Sequence, residues 1–187
     1  MYGNLGTVLV TGGSGGLASQ ILQQLSKSEG TRIHSIDIRQ PTKSIDGVTY
    51  HLADLTDCDT VRAVFEKVRP EVVMHTASPR FDSPKQVMFA VNVKGTEMLV
   101  QVAKEFGIRS LIYTSSASVI SDGKSDLVAA DETYPLVLGD QQPEYYTHTK
   151  ECGKDPVPSC FVRLTSQQGH SRALRPLPKS TPRIPNL

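Results

Sequence analysis

The chain has 187 residues, which fits one domain with a ragged end, with 38% hydrophobic residues, 21% charged residues and no Trp. A formal net charge of +1 gives no electrostatic basis for binding nucleic acid or an anionic membrane. Three cysteines without paired spacing point to a reducing, cytoplasmic setting, five scattered histidines give no metal-ligand pattern, and neither a signal peptide nor a transmembrane segment is expected.

Residues 7–10 (Thr-Val-Leu-Val) form a short apolar run suited to a strand buried on both faces. A glycine loop follows at once, Thr11-Gly12-Gly13-Ser14-Gly15-Gly16-Leu17-Ala18, and then a helix over 18–25 with Ile21, Leu22 and Leu25 on one face. Residues 33–38 and 48–52 read as the second and third strands. Asp57 or Asp59 can cap a helix that runs to Val68 before Pro70 stops it. The fourth strand is 72–75. Ser83-Pro84 opens the longest helix, which Gly107 ends and in which Val87, Val91, Met98, Leu99 and Val102 are available for burial. The fifth strand is 110–114. This alternation predicts an α/β fold, a doubly wound parallel sheet of Rossmann type in the order 3-2-1-4-5.

The loop spacing suits a phosphate cradle, in which Gly12, Gly13, Ser14, Gly15, Gly16 and Leu17 bring backbone and the positive end of a helix up to a pyrophosphate. Asp37 ends the second strand, where a carboxylate accepts from both hydroxyls of an adenosine ribose and repels a 2′-phosphate. NAD is therefore the expected cofactor, and Arg39 keeps NADP open. Asp54 and Leu55 either hold the adenine edge or, for Asp54, cap the next helix. Thr76, Ala77 and Ser78 either let a cofactor lie against the backbone or form a plain tight turn, and His75 reads as a packed strand-end residue.

Tyr146 and Lys150, at i and i+4, share one face of a helix. A lysine ammonium and a positive nicotinamide favour the phenolate, which can take a proton from a substrate hydroxyl as hydride leaves for the cofactor. Ser116, beyond the fifth strand, can hydrogen-bond the developing carbonyl oxygen.

The segments 10–18, 75–79 (His-Thr-Ala-Ser-Pro), 92–96 (Asn-Val-Lys-Gly-Thr), 113–119 (Tyr-Thr-Ser-Ser-Ala-Ser-Val) and 145–150 (Tyr-Tyr-Thr-His-Thr-Lys) together resemble the extended short-chain dehydrogenase/reductases. They are most similar to the 3β-hydroxysteroid dehydrogenase/isomerase family, over residues 5–150. Gly16 where an aromatic is usual and Ala18 where a third glycine is usual are mild departures. The resemblance implies Ser116, Tyr146 and Lys150 as a catalytic triad, Asn92 as at most a supporting helix residue, and a sterol or steroid whose 3β-hydroxyl is oxidised to a ketone. It also implies an endoplasmic-reticulum association for full-length relatives. Two other readings stand beside it: a catalytically silent NAD(P)-binding module, and a sugar-nucleotide epimerase or dehydratase.

After Lys150 the composition changes. Residues 151–187 hold six of the twelve prolines and six Lys/Arg against two Asp/Glu, and Gly153 and Pro156 break the helix. The expectation is a dinucleotide-binding domain over 1–150, a disordered tail over 151–187, a sheet incomplete on its C-terminal side, no substrate lobe, and weak or absent activity in this form.

Overall fold

The computed structural model describes residues 4–131, 133–153 and 157. The expected tail over 151–187 lies almost wholly outside these residues. Strands β1 (Thr7–Thr11), β2 (Arg32–Asp37), β3 (Val48–Leu52), β4 (Val72–His75) and β5 (Ser110–Tyr113) form one sheet in the order β3-β2-β1-β4-β5. All four pairings are parallel, as the alternation of strands and helices requires.

β1 sits in the middle because all five of its residues are buried. Its side chains alternate between two cores. Leu9 faces one, with Ile36, Val73 and Leu111 of the neighbouring strands, Val61 and Phe65 of α2 (Cys58–Val68), and Leu99 and Val102 further along. Val8 and Val10 face the other, with Ile33, Val72 and the stripe Ala18, Leu22, Leu25 of α1 (Gly16–Leu25). The sheet is thus covered on both faces. Asp57 is the cap of α2, accepting from the amides of Asp59 and Thr60 at 3.0 and 3.2 Å, and Arg69 ends the helix in the left-handed region at φ 48°.

The long helix expected between Pro84 and Gly107 is not uniform. It comprises α3 (Lys85–Phe89), a π-helical segment (Ala90–Gly95) and α4 (Thr96–Glu105). The wider turn shifts the helical phase, so Met88 is buried and Val87, expected inside, is 44% exposed. Two local features fit this widening. Thr96 Oγ1 donates to the Asn92 carbonyl at 2.7 Å, and a Cβ on Gly95 would stand 3.2 Å from the Leu55 carbonyl oxygen. The last helix, α5 (Tyr145–Cys152), ends at Gly153 as expected. Among the described residues no helix is long and apolar enough to cross a membrane.

Candidate active site

Thr11, His75 and Tyr113 are register partners at the carboxyl ends of β1, β4 and β5, with Ile36 beside Thr11 on β2. The loops that follow these strands therefore emerge side by side, where an open α/β sheet binds ligands.

In the glycine loop most amides are already committed. Gly12 and Gly13 donate to the Ile36 carbonyl at 2.8 and 3.3 Å, and Gly15 donates to the Gly12 carbonyl at 2.8 Å. Ser14 donates its amide to Asp37 Oδ2 at 3.0 Å, and Arg39 donates to Asp37 Oδ1 at 3.1 Å. The Asp37 carboxylate is thus fixed against the loop with lone pairs to spare. By contrast, the amides of Gly16, Leu17 and Ala18, in the first turn of α1, make no hydrogen bond among the described residues. The glycines differ in purpose as well. Gly12, at φ +76°, lets the loop touch the turn after β4, since a Cβ there would lie 2.7 Å from Ala77 Cα. A Cβ on Gly13 would run into the Ser35 side chain, whereas one on Gly16 would meet nothing within 4 Å.

The turn after β4 is anchored by a buried chain of hydrogen bonds whose direction can be worked out. Thr96 spends its hydrogen on the Asn92 carbonyl, so the His75 Nε2–H must donate to Thr96 Oγ1 at 2.9 Å. His75 Nδ1 then accepts from the Thr11 hydroxyl at 2.7 Å, and Thr11 Oγ1 in turn accepts from the amides of Thr76 and Ala77, both at 3.2 Å. His75 is neutral here: burial first, and Lys150 second, hold its pKa near about 3. It is a packed strand-end residue, and it also fixes the two backbones between which Thr76 and Ala77 sit. Thr76 Oγ1 donates to the Thr11 carbonyl at 2.6 Å. After β3, Asp54 is exposed and accepts from the amide and hydroxyl of Thr56, both at 2.8 Å, while the Leu55 side chain is buried in the core.

Helix α5 carries Tyr146 and Lys150 to this edge. Lys150 is 2% exposed, its Nζ lies 4.6 Å from the centre of the Tyr113 ring, and it makes no side-chain hydrogen bond among the described residues. Burial lowers its pKa to about 8, which leaves it charged at neutral pH. The Tyr113 hydroxyl, itself pushed up by burial, donates to the Lys150 carbonyl at 2.9 Å and holds α5 on β5. Asn92 does more than support its helix. Its Nδ2 donates to Thr149 Oγ1 at 3.0 Å, Thr149 donates to the Tyr146 carbonyl at 2.7 Å, and Ser78 Oγ lies 3.0 Å from Asn92 Oδ1 and 3.4 Å from the Tyr146 hydroxyl. Gly153 is needed for this approach, since a Cβ there would collide with the Asn92 carbonyl oxygen.

Ser116 caps the short 3-10 turn Ala117–Ile120. Its Oγ is 2.6 Å from Ser118 Oγ, which is 2.8 Å from Thr147 Oγ1 on α5. Ser116, Tyr146 and Lys150 are thus linked through β5, the 3-10 turn and α5. Sequence reading gave no role to the side chains of Thr11, Ser118, Thr147 and Thr149, and took Ser78 only as a small residue of the turn after β4. The one local signal was the polar set Thr147, Thr149 and Lys150 on the buried side of a short helix.

Comparisons with known proteins bear on the family and the fold. The chain is 37% identical over 136 residues to the decarboxylating sterol-4-alpha-carboxylate 3-dehydrogenase of Schizosaccharomyces pombe, covering 71% of this chain and 39% of that protein. It is 34% identical over 179 residues to the Saccharomyces cerevisiae protein of the same name, covering 91% and 50%. The chain spans about half the length of the curated relatives it matches, or less. Among solved structures, the Thermus thermophilus UDP-glucose 4-epimerase in complex with NAD superposes with a TM-score of 0.71 at 25% identity, covering 84% of this chain and 53% of that one. The Bordetella bronchiseptica enzyme WbmH in complex with NAD+ gives 0.71 at 20% identity over 86% and 54%, a likeness of fold. The match to a family model runs over residues 9–176, past Lys150, where the resemblance in sequence motifs stops. With the fold, the glycine loop and the three side chains in one frame, the chain belongs to the 3-beta hydroxysteroid dehydrogenase/isomerase family.

Proposed function

We propose that this chain forms the dinucleotide-binding part of an oxidoreductase that oxidises the 3β-hydroxyl of a sterol or steroid to a ketone, with NAD as hydride acceptor. The observation that carries this reading is Lys150: a charged residue only 2% exposed, packed on the Tyr113 ring, whose ammonium keeps a narrow opening to solvent and makes no hydrogen bond among the described residues, one helical turn from Tyr146. A charge drawn largely out of water without a hydrogen bond is costly, and a ligand that supplies an acceptor through that opening relieves the cost. Relatives named as 3-dehydrogenases, at 34–37% identity, favour a sterol over a sugar nucleotide.

The residues present fit a dinucleotide. The free amides of Gly16, Leu17 and Ala18 suit a pyrophosphate, and a Cβ on Gly16 would meet nothing within 4 Å. Asp37, held by Ser14 and Arg39, would accept from the adenosine ribose, and the Thr76–Ala77 backbone would lie along the cofactor. Gly12 lets the loop approach the Ala77 backbone and Gly13 leaves room for the Ser35 side chain, with their amides spent inside the loop. Asp54 is assigned the adenine edge, and Leu55 contributes only backbone there because its side chain is in the core. Lys150 would donate to the nicotinamide ribose.

When bound, NAD supplies the acceptor for the hydride that leaves the carbinol carbon. Tyr146 takes the proton of the reacting hydroxyl, Lys150 favours the phenolate that does so, and Ser116 donates to the same oxygen as it becomes a carbonyl. The test is Tyr146→Phe in the full-length protein. NAD affinity by calorimetry should stay within about twofold, because the hydroxyl acts in proton transfer. Turnover of a 3β-hydroxysteroid should fall by about 10²-fold or more, the usual scale of general acid–base catalysis. Unchanged turnover would refute the assignment.

A further inference from the structure

Beyond the three residues that the proposed reaction uses, the site contains a row of hydroxyls whose hydrogens can be counted. Ser116 Oγ accepts the amide of Ser118 at 3.3 Å and lies 2.6 Å from Ser118 Oγ. Ser118 Oγ lies 2.8 Å from Thr147 Oγ1. Thr147 is 0% exposed, and Ser118 Oγ is its one hydrogen-bond partner among the described side chains. A buried hydroxyl with a single acceptor in reach gains by placing its hydrogen there, since an unspent donor away from water is costly. Thr147 therefore donates to Ser118. Ser118 has a single hydrogen and already accepts from Thr147, so it donates onward to Ser116. Ser116 then accepts from both the amide and the hydroxyl of Ser118, and its own hydrogen is left to point away from the protein.

The structure assigns Ser118 and Thr147 as positioning residues that form a one-way hydroxyl relay, Thr147 to Ser118 to Ser116, which keeps the Ser116 hydrogen available to the reacting oxygen of the substrate. The assignment rests on the proposed oxidation of a 3β-hydroxyl. No proton leaves the relay during that reaction: the hydroxyl proton goes to Tyr146 and the hydride to the nicotinamide, while the relay fixes only the direction of three O–H bonds. Without it, Ser116 would be free to spend its hydrogen on Ser118 and face the substrate as an acceptor. Successive hydroxyls also polarise one another, so a donor at the end of a chain is stronger than an isolated one. Thr147 has a further consequence. It is next to Tyr146 on α5, so one short helix sets both the base and the orientation of the donor. Any tilt of α5 disturbs the two together.

The experiment uses the full-length protein with NAD and two probes, a 3β-hydroxysteroid with and one without a 4α-carboxylate. Ser118→Ala, Thr147→Val and Thr147→Ser are each made in the wild type and in Ser116→Ala. Ser118→Ala and Thr147→Val should lower kcat about tenfold, the equivalent of one net hydrogen bond, with KM for NAD unchanged. Thr147→Ser keeps the hydroxyl and should stay within about twofold. In the Ser116→Ala background, neither Ser118→Ala nor Thr147→Val should lower kcat further, since the residue they orient is gone. Melting curves accompany every variant, so that misfolding registers as a lowered transition instead of a kinetic effect. Equal losses in both backgrounds, failure of Thr147→Ser to preserve activity in a folded protein, or full activity in Ser118→Ala would each overturn the relay alone. A wild-type protein that oxidises neither probe overturns the proposed reaction, and the relay with it.

Discussion

Lys150 and His75 are buried bases, and burial acts on both in the same direction with different consequences. For Lys150 the pKa falls from 10.5 to about 8, which corresponds to about 3 kcal/mol of destabilisation while the charge is present in both states. Below pH 8 folded and unfolded chains both hold the proton and that cost is complete. Between pH 8 and 10.5 the folded chain alone has lost it, so this term makes stability rise with pH. Lys150→Met should therefore raise the melting temperature of the cofactor-free protein at pH 7, by the equivalent of about 1–3 kcal/mol after loss of the contact with Tyr113. It should abolish turnover at the same time, and a lowered melting temperature would show that Lys150 is compensated inside the protein. His75 titrates from 6.5 to about 3. Between those values only the unfolded chain is protonated, so stability falls as pH drops through that window, on the order of a few kcal/mol. Thermal melting from pH 7 to pH 4 should show this slope, and His75→Gln should flatten it. At Asp37, whose carboxylate is held by two amides, exchange to Ser removes the repulsion of a 2′-phosphate. Titrating both cofactors should show the preference for NAD narrowed or reversed, and equal preferences in wild type and variant would take Asp37 out of the account.

At the scale of elements, the glycines separate those that build the fold from those that leave room. Gly12→Ala would place a Cβ 2.7 Å from Ala77 Cα at a positive φ, and should destabilise the protein by about 2–4 kcal/mol in denaturant unfolding. Gly16→Ala meets nothing and starts a helix, so its effect should stay within about 0.5 kcal/mol. The loop, its helix and Asp37 were legible in sequence because their signals are local: an apolar run, a spacing, a cap. So were Tyr146 and Lys150, four residues apart on one helix. The π-helical segment was not, and one feature that fits it, the close approach of Gly95 to Leu55, joins residues 40 apart by their numbers. A strict 3.6-residue period carried through it placed Val87 on the buried side, where Met88 in fact lies. The bonds of Asn92 to Thr149, Ser118 to Thr147 and Thr11 to His75 join residues 57, 29 and 64 positions apart. The polar face of α5 at Thr147 and Thr149 was the one local sign of them, and it names no partner.

For the molecule as a whole, strand order follows from chain order and crossover handedness, and the observed β3-β2-β1-β4-β5 is the order expected from the sequence. Burial grades the sheet from its centre outward: β1 is buried throughout, whereas β3 is partly exposed along its whole length. Amide hydrogen exchange should be slowest in β1 and β4 and fastest among the strands in β3; uniform protection would contradict that grading. In the proposed reaction, hydride leaves a carbinol carbon held at one edge of this sheet. Incubating the full-length protein with NAD and a 3β-hydroxysteroid deuterated at the carbinol carbon tests it most directly, with mass spectrometry of the cofactor and of the steroid. Reduced cofactor should carry the deuterium, in equal amount to the 3-ketosteroid formed, and the 3α epimer should give neither product. Ketone formed without deuterium on the cofactor, or no reaction of the 3β-hydroxysteroid at all, would contradict it.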